Sequence, residues 1–455
     1  MLILISAGEA SGEMYGAQLI EALRRAAAEV KIPALSRKSG ETRVGQPRSE
    51  TGENAAELCS AGQPGAAVPT LSFFGVGGER MRAAGCDTVI DAKDLAVVGI
   101  TEILGHLPKI LGLYKNLIRE ADRRKPGLAI VIDSPAFNWR VARQMKKRGI
   151  PTVYYVAPQF WAWRQGRVRL IRNYIDKALV IFPFEERFYR DRGVDATFVG
   201  HPLADLPKPT ITREEYAAQF HLDPNKPWIT LMPGSRVKEV RMNLPTILEA
   251  AKMLGNSYEY LLPVAATVDR EFLLGMIRNR EPQALKGRDI SSSAARVNSC
   301  PSQDAYPSRP GQLDGITLVP EALPALFHSR AGIIASGTAT VEAAMMNLPF
   351  VMVYRVSRLT YLLGKPRVKV PRFAMVNLIA GEEVVPELVQ SDFTAANIVA
   401  RISEILPEGP ARTHMLAGLA SVRTRLQVPD TSGLYQHPAD RASEIILDLL
   451  PQNRT

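Results

Sequence analysis

Three short segments set small residues beside an ionisable side chain directly after an apolar run: IDSP (Ile132–Pro135), PGSRVKEV (Pro233–Val240) and ASGTATVEAAMMNLP (Ala335–Pro349). Asp133 ends the run LAIVID, and Ser134–Pro135 turn the chain. The carboxyl ends of parallel strands form ligand crevices, so a carboxylate there is a candidate general base. A carboxylate that merely caps the following helix is the plain alternative. Gly234 and Ser235 let backbone amides approach an anion, and Arg236 and Lys238 add positive charge, which together suit a diphosphate. Ser336 ends another strand, Gly337 admits close approach, and Thr338 stands where an N-cap belongs. Glu342 falls about one turn into that helix, within reach of ribose hydroxyls. Strand-end sites of this kind occur in both halves of the chain and suggest a nucleotide diphosphate held between them.

A third small-residue turn, SAGEASGEMYGA, spans Ser6–Ala17 and includes Gly8, Glu9, Ser11, Gly12 and Glu13. It follows a strand and opens a helix, a setting that favours anions, although a tight turn alone would read the same way. It is neither a Walker A loop nor GxGxxG, so ATP and dinucleotide cofactors are unsupported. GVGG (Gly75–Gly78) reads as a close-packed turn. The six histidines lack HxxxH or HExxH spacing and no DxD pair stands out, so neither a metal nor any other cofactor is expected. His201, in GHPL, is equally suited to packing and to catalysis.

The elements that must position these residues follow one pattern. Short apolar runs (LILIS, LSFFGV, LAIVID, TVYYVA, ALVIFP, ATFVG) alternate with helical patterns, and after a Pro-rich stretch a second series begins (WITLMPG, YEYLLPV, GITLVP, GIIAS, FVMVYR). Such alternation predicts an α/β protein of two doubly wound Rossmann-like domains. The expected boundaries are 1–205, 206–430, and a C-terminal helix in 431–455 that packs back on the first domain. Residues 31–70 and 280–312 lack apolar periodicity and read as disordered insertions.

At 455 residues, 46% hydrophobic and 22% charged, the chain is ordinary globular material, long enough for more than one core. No apolar run is long enough to span a bilayer, and the amino terminus lacks the basic segment of a signal peptide, so the expected compartment is the cytoplasm. Cys59, Cys86 and Cys300 form no pair, in keeping with a reducing compartment. The net charge of +10 calls for an anionic partner. Its distribution is uneven: residues 140–172 carry nine Lys/Arg and no acid, and 343–381 carry six and none. Phe160, Trp161 and Trp163 adjoin Arg164 and Arg167, a mixture that suits nucleic acid or a lipid interface. Leu107, Ile110, Leu111, Tyr114, Leu117 and Ile118 keep helical spacing, which more often means core than lipid contact.

Taken in order, SAGEASGE, GVGGERM, VVGITEIL, IDSPAFN, VAPQFWAWRQGRV, FPFEERFY, FVGHPLAD, LMPGSR, SGTATVEAA and NLIAGEEVVPELVQ closely resemble the lipid-A-disaccharide synthase family, glycosyltransferase family 19. The resemblance runs from Ser6 to Gln390 outside the two insertions. It implies a glycosyltransferase-B architecture and an inverting transfer from UDP-2,3-diacylglucosamine to 2,3-diacylglucosamine 1-phosphate. It also implies Asp133 as base, and Gly234, Ser235, Arg236, Ser336, Gly337, Thr338, Glu342 and Asn377 around the donor. The acceptor loops would carry Gly8, Glu9, Ser11, Gly12, Glu13, Gln159, Trp161, Trp163 and Arg164. Both substrates would carry acyl chains, so the expected location is the inner face of the inner membrane, bound peripherally to anionic lipid. Nucleic acid is not an expected partner, and whether the chain pairs as a homodimer is left open. The chain departs from the family at Ala136, where a second Asp is usual, at Glu13 for Asp, and at Met375–Val376 for Leu-Pro. Another UDP-GlcNAc-type glycosyltransferase or an epimerase of the same fold is the alternative reading.

Overall fold

The computed structural model describes residues 1–8, 10–29, 71–95, 100–265, 267–278, 312–313, 315–357, 361–362, 370–430 and 432–450. Glu9 and the two expected insertions lie outside the described residues, except that Gln312 belongs to a short strand.

The first sheet has the order β3-β2-β1-β4-β5-β6-β7. Its strands are β1 (Leu2–Ala7), β2 (Ser72–Gly77), β3 (Cys86–Asp91), β4 (Leu128–Ile132), β5 (Thr152–Tyr155), β6 (Lys177–Val180) and β7 (Ala196–Phe198), all paired in parallel. The second has the order β10-β11-β9-β8-β12-β13-β14. Its strands are β8 (Trp228–Met232), β9 (Glu259–Pro263), β10 (Gln312–Leu313), β11 (Ile316–Val319), β12 (Ala331–Ala335), β13 (Phe350–Tyr354) and β14 (Glu387–Val389). Only the edge strand β10 runs antiparallel. The fold is therefore α/β with two doubly wound sheets, as the alternation of runs predicts. Every residue of β4 and of β12 is buried, which is why those strands read as unbroken apolar runs.

The helices up to and including the one that follows β12 are α1 (Ala10–Glu29), α2 (Glu79–Ala83), α3 (Ile100–Arg124), α4 (Pro135–Lys147), α5 (Val168–Tyr174), α6 (Pro183–Arg190), α7 (Arg213–Phe220), α8 (Val237–Leu254), α9 (Arg270–Arg278), α10 (Ala322–His328) and α11 (Thr338–Met345). One apolar core runs from Ile3, Ile5 and Leu19 through Val199 and Leu203 to Ile333 and Val353, so it is continuous between the halves. A second lies on the other face of the first sheet, around Leu4, Phe74, Val131 and Val141. The last helix, Pro438–Asp448, returns to pack on α1, and Arg25 Nη2 meets Asp440 Oδ1 at 2.7 Å.

The α3 stripe is core only in part, and the Leu107 side chain lies outside the described residues. Leu117 is fully buried and Ile110, Tyr114 and Ile118 pack against the second cluster, whereas Leu111 remains 46% exposed. Gly75–Gly78 is close-packed but is not simply a turn. Gly75 sits at a register shift between β2 and β3 with φ +147°, and a Cβ there would lie 2.0 Å from the Ile5 carbonyl oxygen. Gly78 faces the Glu13 carboxylate, which a Cβ would meet at 2.4 Å.

Candidate active site

In both sheets the strand order reverses between the first strand and its inner neighbour, β1 with β4 and β8 with β12. Ligands of doubly wound sheets bind outside the carboxyl ends of strands at that switch point. The segments picked out in the sequence follow these four strands: Gly8 and the start of α1 after β1, Asp133 after β4, Gly234–Arg236 after β8, and Ser336–Thr338 after β12.

Asp133 and Ser134 are both left-handed, with φ of 47° and 45°. Two successive non-glycine residues in that region store about 1–3 kcal/mol each, so the surroundings must hold them there. They do. Tyr154 Oη donates to the Asp133 carbonyl at 2.7 Å, and buried Asn138 Nδ2 donates to the same oxygen at 2.8 Å. Asn138 also bonds Ile132 O and accepts from Ser6 Oγ at 2.7 Å, which ties the ends of β1 and β4 together. Val156 and Arg164 are left-handed as well, at φ 57° and 59°. Strain thus gathers around one cleft. Its walls include Ser11, Asp133, Gln159 and Trp163 from the first half, and Thr338 and Met375 from the second.

The structure corrects several expectations for single residues. Trp161 is buried, and its Nε1 donates to Glu185 Oε1 at 2.7 Å, so it lies beneath the cleft wall; Trp163, 47% exposed, reaches the cleft with Arg164 stacked 4.1 Å over its ring. Glu13 faces away to α2, where it accepts from the Arg80 amide at 2.8 Å. Gly8 is required by crowding, since a Cβ would meet Ser134 Oγ at 2.7 Å; Gly12 faces the Asp133 Cβ. Asn377 is fully buried and consumed internally. Its Oδ1 accepts from the Val384 and Val385 amides, and its Nδ2 donates to Val385 O and Glu387 Oε1, all between 2.8 and 3.0 Å. It shapes the turn beside the cleft and has no polar atom to offer a donor.

On the second half, Gly337 rather than Thr338 is the N-cap of α11, with φ +146° and no side-chain cap. A Cβ on Gly337 would meet nothing within 4 Å, so glycine serves the backbone conformation and leaves space in front of the helix end. Ser336 Oγ is committed to the Phe373 carbonyl at 2.9 Å. Glu342 is half-buried on α11, and burial raises its pKa. The turn after β8 differs from expectation. Glu239 Oε2 accepts from the Ser235 and Arg236 amides at 3.1 and 3.3 Å, and Arg236 Nη1 lies 3.1 Å from Glu239 Oε1. The amides read as a diphosphate clamp are held by a carboxylate of the same helix.

Two cleft residues, Tyr15 and Glu185, are not singled out by the sequence, and a third, His201, is left undecided by it. Tyr15, on α1, is 4% exposed, and burial followed by the charges of Asp133 and Glu342 pushes its phenol up to about 12. Glu185 is fully buried, pushed up to about 7 by burial although Trp161 Nε1 and the Ile181 and Phe182 amides all donate to it. His201, whose role the sequence left undecided, is 2% exposed and lines the cleft. Its Nδ1 accepts from the Leu203 amide at 3.1 Å, and burial pushes its pKa down to about 3. The helical spacing of Tyr15 and the Pro183-to-Glu185 pattern were visible, but nothing in sequence indicates which helix face meets the other half. Among the described residues no group of three or more His, Cys, Asp or Glu is placed to hold a metal ion.

The model of the lipid-A-disaccharide synthetase family matches residues 53–295 and 309–424. Lipid-A-disaccharide synthase of Koribacter versatilis (strain Ellin345) is 45% identical over 447 residues, covering 98% of each chain. That of Acidobacterium capsulatum is 45% identical over 432 residues, covering 95% of this chain and 93% of the relative. Among solved structures, the glycotransferase of kitacinnamycin superposes with a TM-score of 0.55 at 12% identity over 99% of both chains. CalG4, the calicheamicin glycosyltransferase, gives 0.53 at 13% identity over 100% of this chain and 99% of its own. At such identities these two show the fold.

Proposed function

Because the chain belongs to the lipid-A-disaccharide synthase family, and is thereby a glycosyltransferase of lipid A biosynthesis, we propose the reaction and the residues that carry it. The sugar of UDP-2,3-diacylglucosamine passes to the 6-hydroxyl of 2,3-diacylglucosamine 1-phosphate, giving a β-1,6-linked disaccharide 1-phosphate and UDP. Asp133 takes the proton of the attacking hydroxyl. The oxygen then attacks the anomeric carbon from the face opposite UDP, so one base and one displacement suffice. Positive charge for the departing diphosphate comes from Arg236 and the uncapped amino end of α11. Glu342 accepts from the ribose hydroxyls.

The observation that carries this reading is the strained Asp133 turn, which shares one cleft with Thr338 of the opposing half. A base and a helix amino end facing each other across a groove suit an acceptor hydroxyl on one side and a leaving diphosphate on the other. Reaction of the two acylated sugars should release UDP and form the disaccharide, and omission of the acceptor should stop UDP release. Asp133→Asn should lower turnover by roughly 10²–10⁴-fold and leave UDP binding intact. Near-normal turnover by a folded Asp133→Asn protein would remove Asp133 from the mechanism. Release of UDP without acceptor would favour an epimerase or hydrolase.

The acyl chains of both substrates reside in a bilayer, so the protein works at a membrane surface. Among the described residues no helix is long and apolar enough to cross one. Arg164, Arg167, Arg169 and Arg172 are all exposed on the turn and helix that follow the cleft residue Trp163. Elsewhere in that basic stretch Lys146 pairs with Asp176, and Arg148 with Asp122 at 2.6 Å.

A further inference from the structure

The Tyr15 side chain is 4% exposed, yet it forms part of the cleft wall with Asp133, Pro135 and Thr338. Its hydroxyl has no hydrogen-bond partner among the described residues. The neighbouring phenol of Tyr155 does not supply one, since that hydroxyl is itself buried without a partner. A buried tyrosine normally finds a partner for its O–H. Here the two charges that bear on the phenol are Asp133, from its own half, and Glu342, from the other. The cleft wall that Tyr15 shares with Asp133 of one half and Thr338 and Val341 of the other places its side chain where the two halves meet.

We propose that Tyr15 binds the acceptor sugar, its phenol exchanging a hydrogen bond with a hexose hydroxyl held beside the Asp133 carboxylate. The ligand class follows from the chemistry. A phenol that stays protonated can donate one hydrogen bond and accept another, which matches a sugar hydroxyl, whereas two carboxylates nearby disfavour an anionic group at that point. Tyr15 stands on α1 one turn beyond Ser11, so the loop that opens the cleft and the residue that grips the sugar share one rigid element. The Gly12 backbone between them lies against the Asp133 side chain, with 3.8 Å left to the Asp133 Cβ from a notional Cβ. The helix that carries Tyr15 thus starts close beside the base.

This inference rests on the reading of Asp133 as base, and the experiment separates the two. Tyr15→Phe removes one oxygen and retains the ring that packs in the apolar core. It should lower kcat/KM for the acceptor by roughly tenfold or more, as expected when a buried hydroxyl partner is lost. The KM for the UDP-sugar, the affinity for UDP and the melting temperature should stay at wild-type values. A merely structural role would instead shift the melting temperature and both substrates together, and would overturn the proposal. So would wild-type kcat/KM for the acceptor in Tyr15→Phe while Asp133→Asn is inactive. If Asp133→Asn itself turns over normally, the base assignment falls first, and the assignment of Tyr15 to the sugar beside it falls with it.

Discussion

Arg236 and Glu239 hold each other across the first turn of α8. The guanidinium Nη1 is 3.1 Å from Oε1, and the Arg236 amide is 3.3 Å from Oε2. The carboxylate stands where an anionic ligand of this turn would sit, and Gly234 makes room for it, since a Cβ there would fall 2.6 Å from the Glu239 Cβ. A donor diphosphate that uses these amides must displace Glu239. Arg236→Ala should therefore weaken UDP binding and lower turnover. Glu239→Ala should cost about 1 kcal/mol of stability through loss of the cap, yet bind UDP more tightly. Calorimetric titration with UDP alongside chemical denaturation reads both effects, and weaker UDP binding by Glu239→Ala would show that the carboxylate supports the donor site.

Asn377→Ala should behave as a stability variant. It leaves two backbone amides and a carbonyl of the turn without their partner, so a loss of roughly 2–3 kcal/mol or more is expected. Affinity for UDP at a temperature where the variant is folded should change little. A large loss of UDP affinity with unchanged denaturation midpoint would restore Asn377 to direct ligand contact.

His201 makes stability depend on pH. Its folded pKa, near 3, lies below the usual 6.5, so the unfolded chain binds a proton that the folded one refuses. Its contribution is fully present above pH 6.5 and is lost as pH falls toward 3. Glu185, held near 7, acts in the opposite sense between its ordinary range and that value. Comparison with His201→Asn isolates the histidine, because asparagine keeps an acceptor for the Leu203 amide without titrating. The difference in urea midpoint between wild type and variant should shift against wild type from pH 7 to pH 5. A difference independent of pH would mean that His201 is not held neutral by the fold.

Binding to anionic vesicles should depend on Arg164, Arg167, Arg169 and Arg172. Each basic group near an anionic surface contributes about 1 kcal/mol, so changing all four to Gln should greatly reduce sedimentation with such vesicles. High salt should have a similar effect on wild type. Equal binding to neutral and anionic vesicles would rule out the electrostatic attachment.

The strands and their parallel order were legible because β4 and β12 are apolar throughout, and because the glycine turns punctuate them. The switch-point turns were legible for the same reason. The fates of individual polar side chains were not. Glu239 and Lys238 are adjacent in sequence, and only the first turn of α8 determines which one folds back onto the Ser235 and Arg236 amides. Asn377 reads like a ligand residue, yet the turn at Val384–Val385 takes both ends of its amide. Trp161 and Trp163 are two positions apart, and the turn through 160–162 leaves one buried and the other exposed. Charge runs mislead similarly, because the partners of Lys146 and Arg148 come from distant segments.

The return of the last helix to α1 has a consequence during synthesis. Arg25 and Asp440 are 415 positions apart, and Ala442 and Ile446 of that helix are wholly buried. The first half can form its sheet early, but the outer face of α1 stays uncovered until Pro438–Asp448 has left the ribosome. Until then an apolar surface of α1 is exposed to other chains, and a translational stall before Pro438–Asp448 is made would leave a nascent protein prone to association through α1.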